Sequence, residues 1–293
     1  MSKITQAVIP AAGMGTRFLP ATKSMPKEML PIIDRPIIHY VVEECVKSGI
    51  TEIILVIGAN KRSIEDYFDN NYELEEHLKR AGKEKELKEI QDIAKMANFV
   101  YIRQKGPYGN GTPVLCAEPA LNDEPFIVTW GDEFIHSDPP RIKQMIDVYE
   151  KYGKPVISAI KISDEKLLSK YGTADVEKVG DNVFKIKDII EKPEPGKAPS
   201  NLATHGAYLL PPSILKHLKK LQPGKGGEIW LVDAIRKLML EEDVYAVEIQ
   251  NGKYYDTGNK LEYLKTCIDF GMKHPEMKKE LCDYMNKACA SAK

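Results

Sequence analysis

Val8–Glu28 reads VIPAAGMGTRFLPATKSMPKE, and the fold follows from how its parts are understood. The apolar run Ala7–Ile9 predicts a strand ending in a loop that carries Gly13 and Gly15. Glycines let backbone N–H groups approach an anion closely, because no Cβ intervenes. Arg17 and Lys27 follow on the same connection and supply the positive charge a triphosphate requires. Two better-known glycine loops are excluded. Phe18 holds the third glycine position of the dinucleotide fingerprint, and no Gly-Lys-Ser/Thr of a P-loop follows. Prolines at 20, 26, 31 and 36 keep a long helix from starting directly after the glycines. A loop so equipped after a first strand predicts a nucleotide cradle.

Further along, short runs rich in β-branched residues alternate with amphipathic segments. Ala7–Ile9, Ile53–Ile57, Phe99–Arg103, Phe126–Thr129 and Val156–Ile160 predict strands of a Rossmann-like, mostly parallel α/β sheet flanked by helices. Pro36–Lys47 predicts a helix, with Pro36 in its first turn and Gly49 at its end. Ligands of such sheets sit beyond the carboxyl ends of the strands. The glycine loop, Gln104–Gly111 and Gly131-Asp132 each follow a strand end, so all three are expected to line one crevice.

Residues 61–98 are highly charged and predict a solvated helical hairpin with pairs such as Glu84–Lys88, anchored by Tyr67, Phe68 and Tyr72. Asp175–Val179 and Phe184–Ile190 flank Gly180-Asp181-Asn182 and predict a β-hairpin. With the strand Ala203–Leu209 it is expected to form an antiparallel insertion over the other half of the crevice. Helices at Pro212–Leu221 and Ile229–Leu240, a strand at Val244–Ile249 and a helical tail complete the chain. A single domain over 1–293 is expected, with halves of about 1–160 and 161–293.

The 293 residues suffice for a sizeable core. Lys plus Arg number 42 against 43 Asp plus Glu, so no broad basic field exists to attract nucleic acid. Five cysteines cannot all pair, and none are at C-x-x-C spacing, which predicts a reduced, cytoplasmic protein without a zinc knuckle. No apolar run approaches membrane-spanning length, so no membrane partner is expected.

GMGTRFLPATKSMPKEMLPI resembles the signature of the bacterial UTP–glucose-1-phosphate uridylyltransferases, within the sugar-nucleotide pyrophosphorylase family. The resemblance continues in order through YIRQKGPYGNGTPVLCAE, the GDE at 131–133, IIEKPEPGKAPSNLATHGAYLL, GKGGEIWLVDAI and GKYYDTGNKLEYLK, spanning roughly residues 4–270. It implies transfer of a uridylyl group from UTP to a sugar 1-phosphate with release of pyrophosphate, Mg2+ as cofactor, and a homodimer or homotetramer. Sister enzymes using another sugar or dTTP, and a non-catalytic nucleotide-sugar sensor, are the alternatives.

The attacking phosphate of such a reaction is already anionic, so no general base is needed; charge neutralisation and in-line alignment are. Asp132 and Asp256 match the family aspartates that hold Mg2+ between them, although an aspartate at either place also suits a turn or cap. Arg17 and Lys27 match the triphosphate-side cations, and Lys192 the lysine that grips the sugar phosphate. Glu191 matches the carboxylate that binds sugar hydroxyls, beside Tyr171-Gly172. Ala11, Ala12, Gly13, Gly15, Gln104 and Gly109 match the nucleotide-binding positions, Gln104 offering a donor and an acceptor to a pyrimidine edge. Four positions depart from the family pattern. Glu133 stands for a second aspartate, Thr112-Pro113 for His-Ala, and Trp230 for a Gln. His136 and His205 are expected to be structural or solvent-facing, and Trp130 and Trp230 to be packing residues.

Overall fold

The computed structural model describes residues 3–291. Its strands are β1 (Gln6–Ala11), β2 (Pro31–Ile32), β3 (Arg35–Pro36), β4 (Glu52–Ile57), β5 (Asn98–Arg103), β6 (Phe126–Thr129) and β7 (Glu133–Ser137). They continue as β8 (Val156–Lys161), β9 (Gly172–Lys178), β10 (Val183–Glu191), β11 (Leu202–Leu210), β12 (Tyr245–Glu248) and β13 (Gly252–Asp256). Nine of them form one mixed sheet in the order β5-β4-β1-β6-β11-β8-β12-β10-β9. β5, β4, β1 and β6 run parallel, so the loops after their carboxyl ends emerge on the same edge. This is the expected crevice edge.

Alternation along the strands divides the interior in two. Ala7, Ile9 and Ala11 of β1 face one core, with Ile53 and Leu55 of β4. Val8 faces the other, with Ile54, Val56 and Val128. Each fully buried Ile or Val contributes about 1.5–3 kcal/mol, so the sheet is a stiff base for the loops at its edge. Helix α1 (Ile37–Lys47) covers the first core and starts one residue later than expected, with Pro36 at its extended N-cap rather than in its first turn.

The strand expected to join the hairpin in an antiparallel insertion does pair antiparallel with it, Ala203 and Thr204 of β11 against Thr173 and Gly172 of β9, but it also belongs to the main sheet. β11 is antiparallel to both β6 and β8 and occupies the middle of the main sheet, all nine of its residues buried. The hairpin β9–β10 forms as expected and continues the same sheet beyond β12, where β9 curls back to pair with β11. Strand geometry and burial were readable locally; the choice of neighbours depended on tertiary packing.

Residues 61–98 contain three helices, α2 (Arg62–Phe68), α3 (Tyr72–Arg80) and α4 (Glu84–Ala94). Tyr67 and Phe68 anchor the segment, but Tyr72 is 76 % exposed and Leu78 is buried in its stead. Lys88 pairs with Asp92, and Glu89 with Arg35 of β3. The segment is therefore tied to the hairpin that follows the quoted stretch. Among the described residues, no helix is long and apolar enough to cross a membrane.

Candidate active site

The chain leaves β1 at Ala11 and turns through Ala12–Gly15 into a 3₁₀ turn, Thr16–Phe18. Gly15 has φ +66, and a Cβ there would also press on Thr22 at 3.3 Å, so glycine is required by the backbone itself. Thr22 Oγ1 donates to Gly15 O at 2.7 Å and closes the loop. Gly13 differs: an added Cβ would meet only Lys27 Cε at 3.6 Å, an ordinary contact. Nothing in the protein forbids a side chain there, so the open backbone faces space that a ligand can use.

That space is a cavity of about 500 Å3 lined by Ala12, Gly13, Gly58, Lys61, Gln104 and Tyr108, among others. Gln104 is positioned by its N–H, which donates to Ile57 O at 2.9 Å where β4 and β5 end. Gly109, expected to admit a base, has another duty. Its φ is +120, and a Cβ would collide with the Ile229 carbonyl oxygen, so the close approach it permits is to that strand-like backbone. Gly106 and Tyr108 line the cavity instead.

Asp132 and Asp256 meet across the edge of the sheet. The antiparallel ribbon β7–β13 pairs Asp256 with Glu133, the residue after Asp132. Asp256 Oδ1 and Asp132 Oδ2 lie 3.1 and 3.5 Å from one point, where a Cβ on Gly258 would stand, and Arg17 Nη1 is 3.3 Å from that point. Arg17 Nη1 also donates to Gly258 O at 3.3 Å. Gly258 N donates to Asp256 Oδ1 at 2.9 Å, and Thr257 Oγ1 to Asp132 O at 2.5 Å. Lys27 Nζ forms an ion pair with Asp132. Four charged side chains from three segments of the chain thus converge.

Their electrostatics are unequal. Burial raises the Asp256 carboxyl above its usual range; the Gly258 N–H opposes this, and the Asp132 charge adds to it. Burial would lower Lys27, but Asp132 and Glu28 outweigh it, and its pKa is raised overall. Lys27 is therefore cationic at neutral pH. Glu28, the neighbour that sequence reasoning passed over, is buried and accepts from Lys61 Nζ at 2.6 Å. Lys61 precedes α2, and nothing local marks it as the partner of Glu28.

Glu133 packs against Gly206 beside Trp130. Burial pushes its carboxyl up to about 7, although Tyr254 Oη donates to its Oε2 at 2.7 Å. His205 is buried rather than exposed, its imidazole held down to about 3 by burial and by Arg141. Its ring lies 4.0 Å from that of Tyr254 and 4.4 Å from that of Tyr171. His136 is exposed. Thr112 and Pro113 are buried at the start of α5 (Thr112–Cys116).

On the far side, the open ends of the β9–β10 hairpin pair Gly172 with Glu191. Glu191 Oε2 is 3.1 Å from where a Gly172 Cβ would stand, so Tyr171-Gly172 and Glu191-Lys192 form one cluster. Lys192 N donates to Tyr171 O at 3.1 Å, and Lys192 Nζ is 3.5 Å from Glu191 Oε1. Burial, with the Asp256 and Glu133 charges, pushes the Tyr171 phenol up to about 12. Tyr171 thereby lies within the field of the aspartate centre.

Among the described residues, no group of three or more His, Cys, Asp or Glu side chains is arranged to hold a metal. A pair of carboxylates is what remains. Two half-buried carboxylates that repel each other suit a hard cation that takes its other ligands from water and phosphate.

A family model described as nucleotidyl transferase matches residues 6–269. UTP–glucose-1-phosphate uridylyltransferase YngB of Bacillus subtilis (strain 168) is 47% identical over 283 residues, covering 97% of this chain and 95% of that protein. UTP–glucose-1-phosphate uridylyltransferase 1 of Staphylococcus saprophyticus is 46% identical, covering 97% and 98%. Among solved structures, a UTP-bound UGPase from Acinetobacter baumannii superposes with a TM-score of 0.89 at 38% identity, covering 97% of this chain and 99% of that one. A UDP-glucose pyrophosphorylase complexed with UDP-glucose gives a TM-score of 0.84 at 39% identity, covering 93% and 100%. The chain belongs to the nucleotidyl transferase family, in its branch of bacterial UTP–glucose-1-phosphate uridylyltransferases.

Proposed function

We propose that the protein transfers the uridylyl group of UTP to α-D-glucose 1-phosphate, forming UDP-glucose and pyrophosphate by in-line attack on the α-phosphorus. The observation that carries this reading is the convergence of Arg17, Lys27, Asp132 and Asp256 beside a cavity lined by Gly13 and Gln104. UTP would lie with its base against Gln104 and the backbone of Ala11, Ala12 and Gly13, and its phosphates along the glycine loop at Gly15. Arg17 then serves the β- and γ-phosphates, and Lys27 the charge that builds at the α-phosphorus. Asp132 and Asp256 would hold Mg2+, which when bound supplies positive charge next to the phosphates. Lys192 grips the sugar phosphate, while Glu191 and the Gly172 backbone accept and orient sugar hydroxyls.

Several cations are needed because one charged hydrogen bond is worth only about 1.5–3 kcal/mol, against a total barrier reduction of about 8–23 kcal/mol. Alignment of the two substrates supplies much of the rest. In this reading the chain is one nucleotidyltransferase domain, its nucleotide half about 1–160 and its sugar half about 161–293. It works in the cytoplasm as a homodimer or homotetramer, a point light scattering on the purified protein would test.

Pyrophosphate release, measured with each of UTP, dTTP, CTP and ATP against a panel of sugar 1-phosphates, tests the reading directly. UTP with glucose 1-phosphate is expected to be the fastest pair, to fail in EDTA and to recover with Mg2+. A preference for dTTP would reassign the enzyme to a sister specificity, and silence with every pair would favour a sensor.

A further inference from the structure

Trp230 stands between the two halves of the crevice and has no part in the chemistry described so far. Its carbonyl accepts from Asp233 N at 3.2 Å and opens helix α6 (Leu231–Leu238). Leu231, Ala234, Ile235 and Leu238 of that helix are buried in the second core. The residues on either side of Trp230 are bonded to the base-side loop. Ile229 N donates to Tyr108 O and Gly111 N to Ile229 O, both at 2.9 Å, and Leu231 N donates to Asn110 Oδ1 at 2.7 Å. Trp230 therefore has a rigid footing shared by α6 and the 108–111 loop.

Its indole carries Lys192. The ammonium lies over the ring, 5.2 Å from the centroid. Lys192 has φ +48, a left-handed conformation that costs a residue bearing a Cβ and persists only where its surroundings impose it. An indole face attracts an ammonium through its quadrupole without neutralising it. A carboxylate partner such as Glu191 competes with an incoming phosphate as an anion; the indole does not. The flexible four-carbon stem of a lysine otherwise samples many positions.

We propose that Trp230 is a positioning residue for the sugar 1-phosphate: its indole, together with Glu191, seats the Lys192 ammonium in register with the base-side loop. This rests on Lys192 being the cation that receives the sugar phosphate, so the two ideas are tested separately. Steady-state kinetics with α-D-glucose 1-phosphate and UTP are compared for Trp230→Leu, Trp230→Phe, Lys192→Met and the double variant Trp230→Leu/Lys192→Met. Trp230→Leu is expected to raise KM for glucose 1-phosphate about two- to thirtyfold, the range of a cation–π contact. KM for UTP is expected to stay within about twofold, since only uniform binding of the sugar phosphate is lost. Trp230→Phe, which keeps an aromatic face, is expected to raise it less than Leu does, and Trp230→Leu to add nothing once Lys192 is Met. The proposal is overturned if KM for both substrates rises together, if Phe is as harmful as Leu, or if the two effects multiply in the double variant. It also falls alone if Lys192→Met raises KM for glucose 1-phosphate and Trp230→Leu does not. If Lys192→Met itself leaves that KM unchanged, the role of Lys192 falls with it.

Discussion

The two sides of the crevice hold their cations by opposite means. On the β1 side Lys61 and Glu28 are 7% and 1% exposed, and Lys27 is paired with Asp132 next to them. On the hairpin side Lys192 and Glu191 are 54% and 32% exposed, and Lys192 is kept by its backbone, by Glu191 at 3.5 Å and by an indole face. Buried charges interact strongly and cannot relax into water, so their geometry is set when the protein folds. Exposed charges are screened and can be re-aimed at small cost. The first side arrives preorganised for its ligand, at the expense of folding stability; the second leaves its cation open to water, where screening weakens each pair.

The sharpest way to break this comparison is Asp132→Asn. Losing one of two facing carboxylates and the partner of Lys27 is expected to lower pyrophosphate release about 10³-fold, with weak UTP binding still detectable by calorimetry. Near-normal turnover would remove Asp132 from the mechanism. Next in size is Lys61→Met, which strands Glu28 in the interior. Breaking a buried ion pair from one end costs about 3–5 kcal/mol, to be read as a lower urea midpoint at an unchanged slope. A loss below about 1 kcal/mol, the scale of an exposed pair, would erase the distinction between the two sides.

Lys192→Ala sharpens the other half. Removing one charge-assisted contact of about 1.5–3 kcal/mol is expected to raise KM for glucose 1-phosphate roughly 10- to 150-fold, with KM for UTP nearly unchanged. An equal loss for both substrates contradicts the two-sided assignment. The smallest effect belongs to the charged segment outside the crevice. Lys88→Ala, which removes an exposed i,i+4 pair with Asp92, is expected to cost about 0.3–0.5 kcal/mol in thermal unfolding and nothing in turnover.

Much of the site was legible because its signals are local. The loop after β1, Gln104 at the end of β5 and Asp132 after β6 all stand where strand ends and glycines predicted. Gly109 was legible as a special position, but its cause was not: the backbone it admits is Ile229, far along the chain. Glu28–Lys61 had no signal at all, since a Lys before a helix is ordinarily solvated. Trp230 looked like packing and carries a cation. Each of these depends on a partner that local pattern does not name.

The amino-acid sequence alone determined the nine strands of the main sheet, helix α1, the glycine loop with its two cations, and the hairpin that carries Glu191 and Lys192. Alternation, turn residues and proline positions act within a few residues, so they survive any later choice of neighbours. Only the tertiary structure decided that β11 enters the middle of the sheet and that β7 pairs with β13 to bring Asp132 and Asp256 together. Strands distant in the chain select partners by how well whole faces bury against both cores, and that competition is resolved only when the entire sheet assembles.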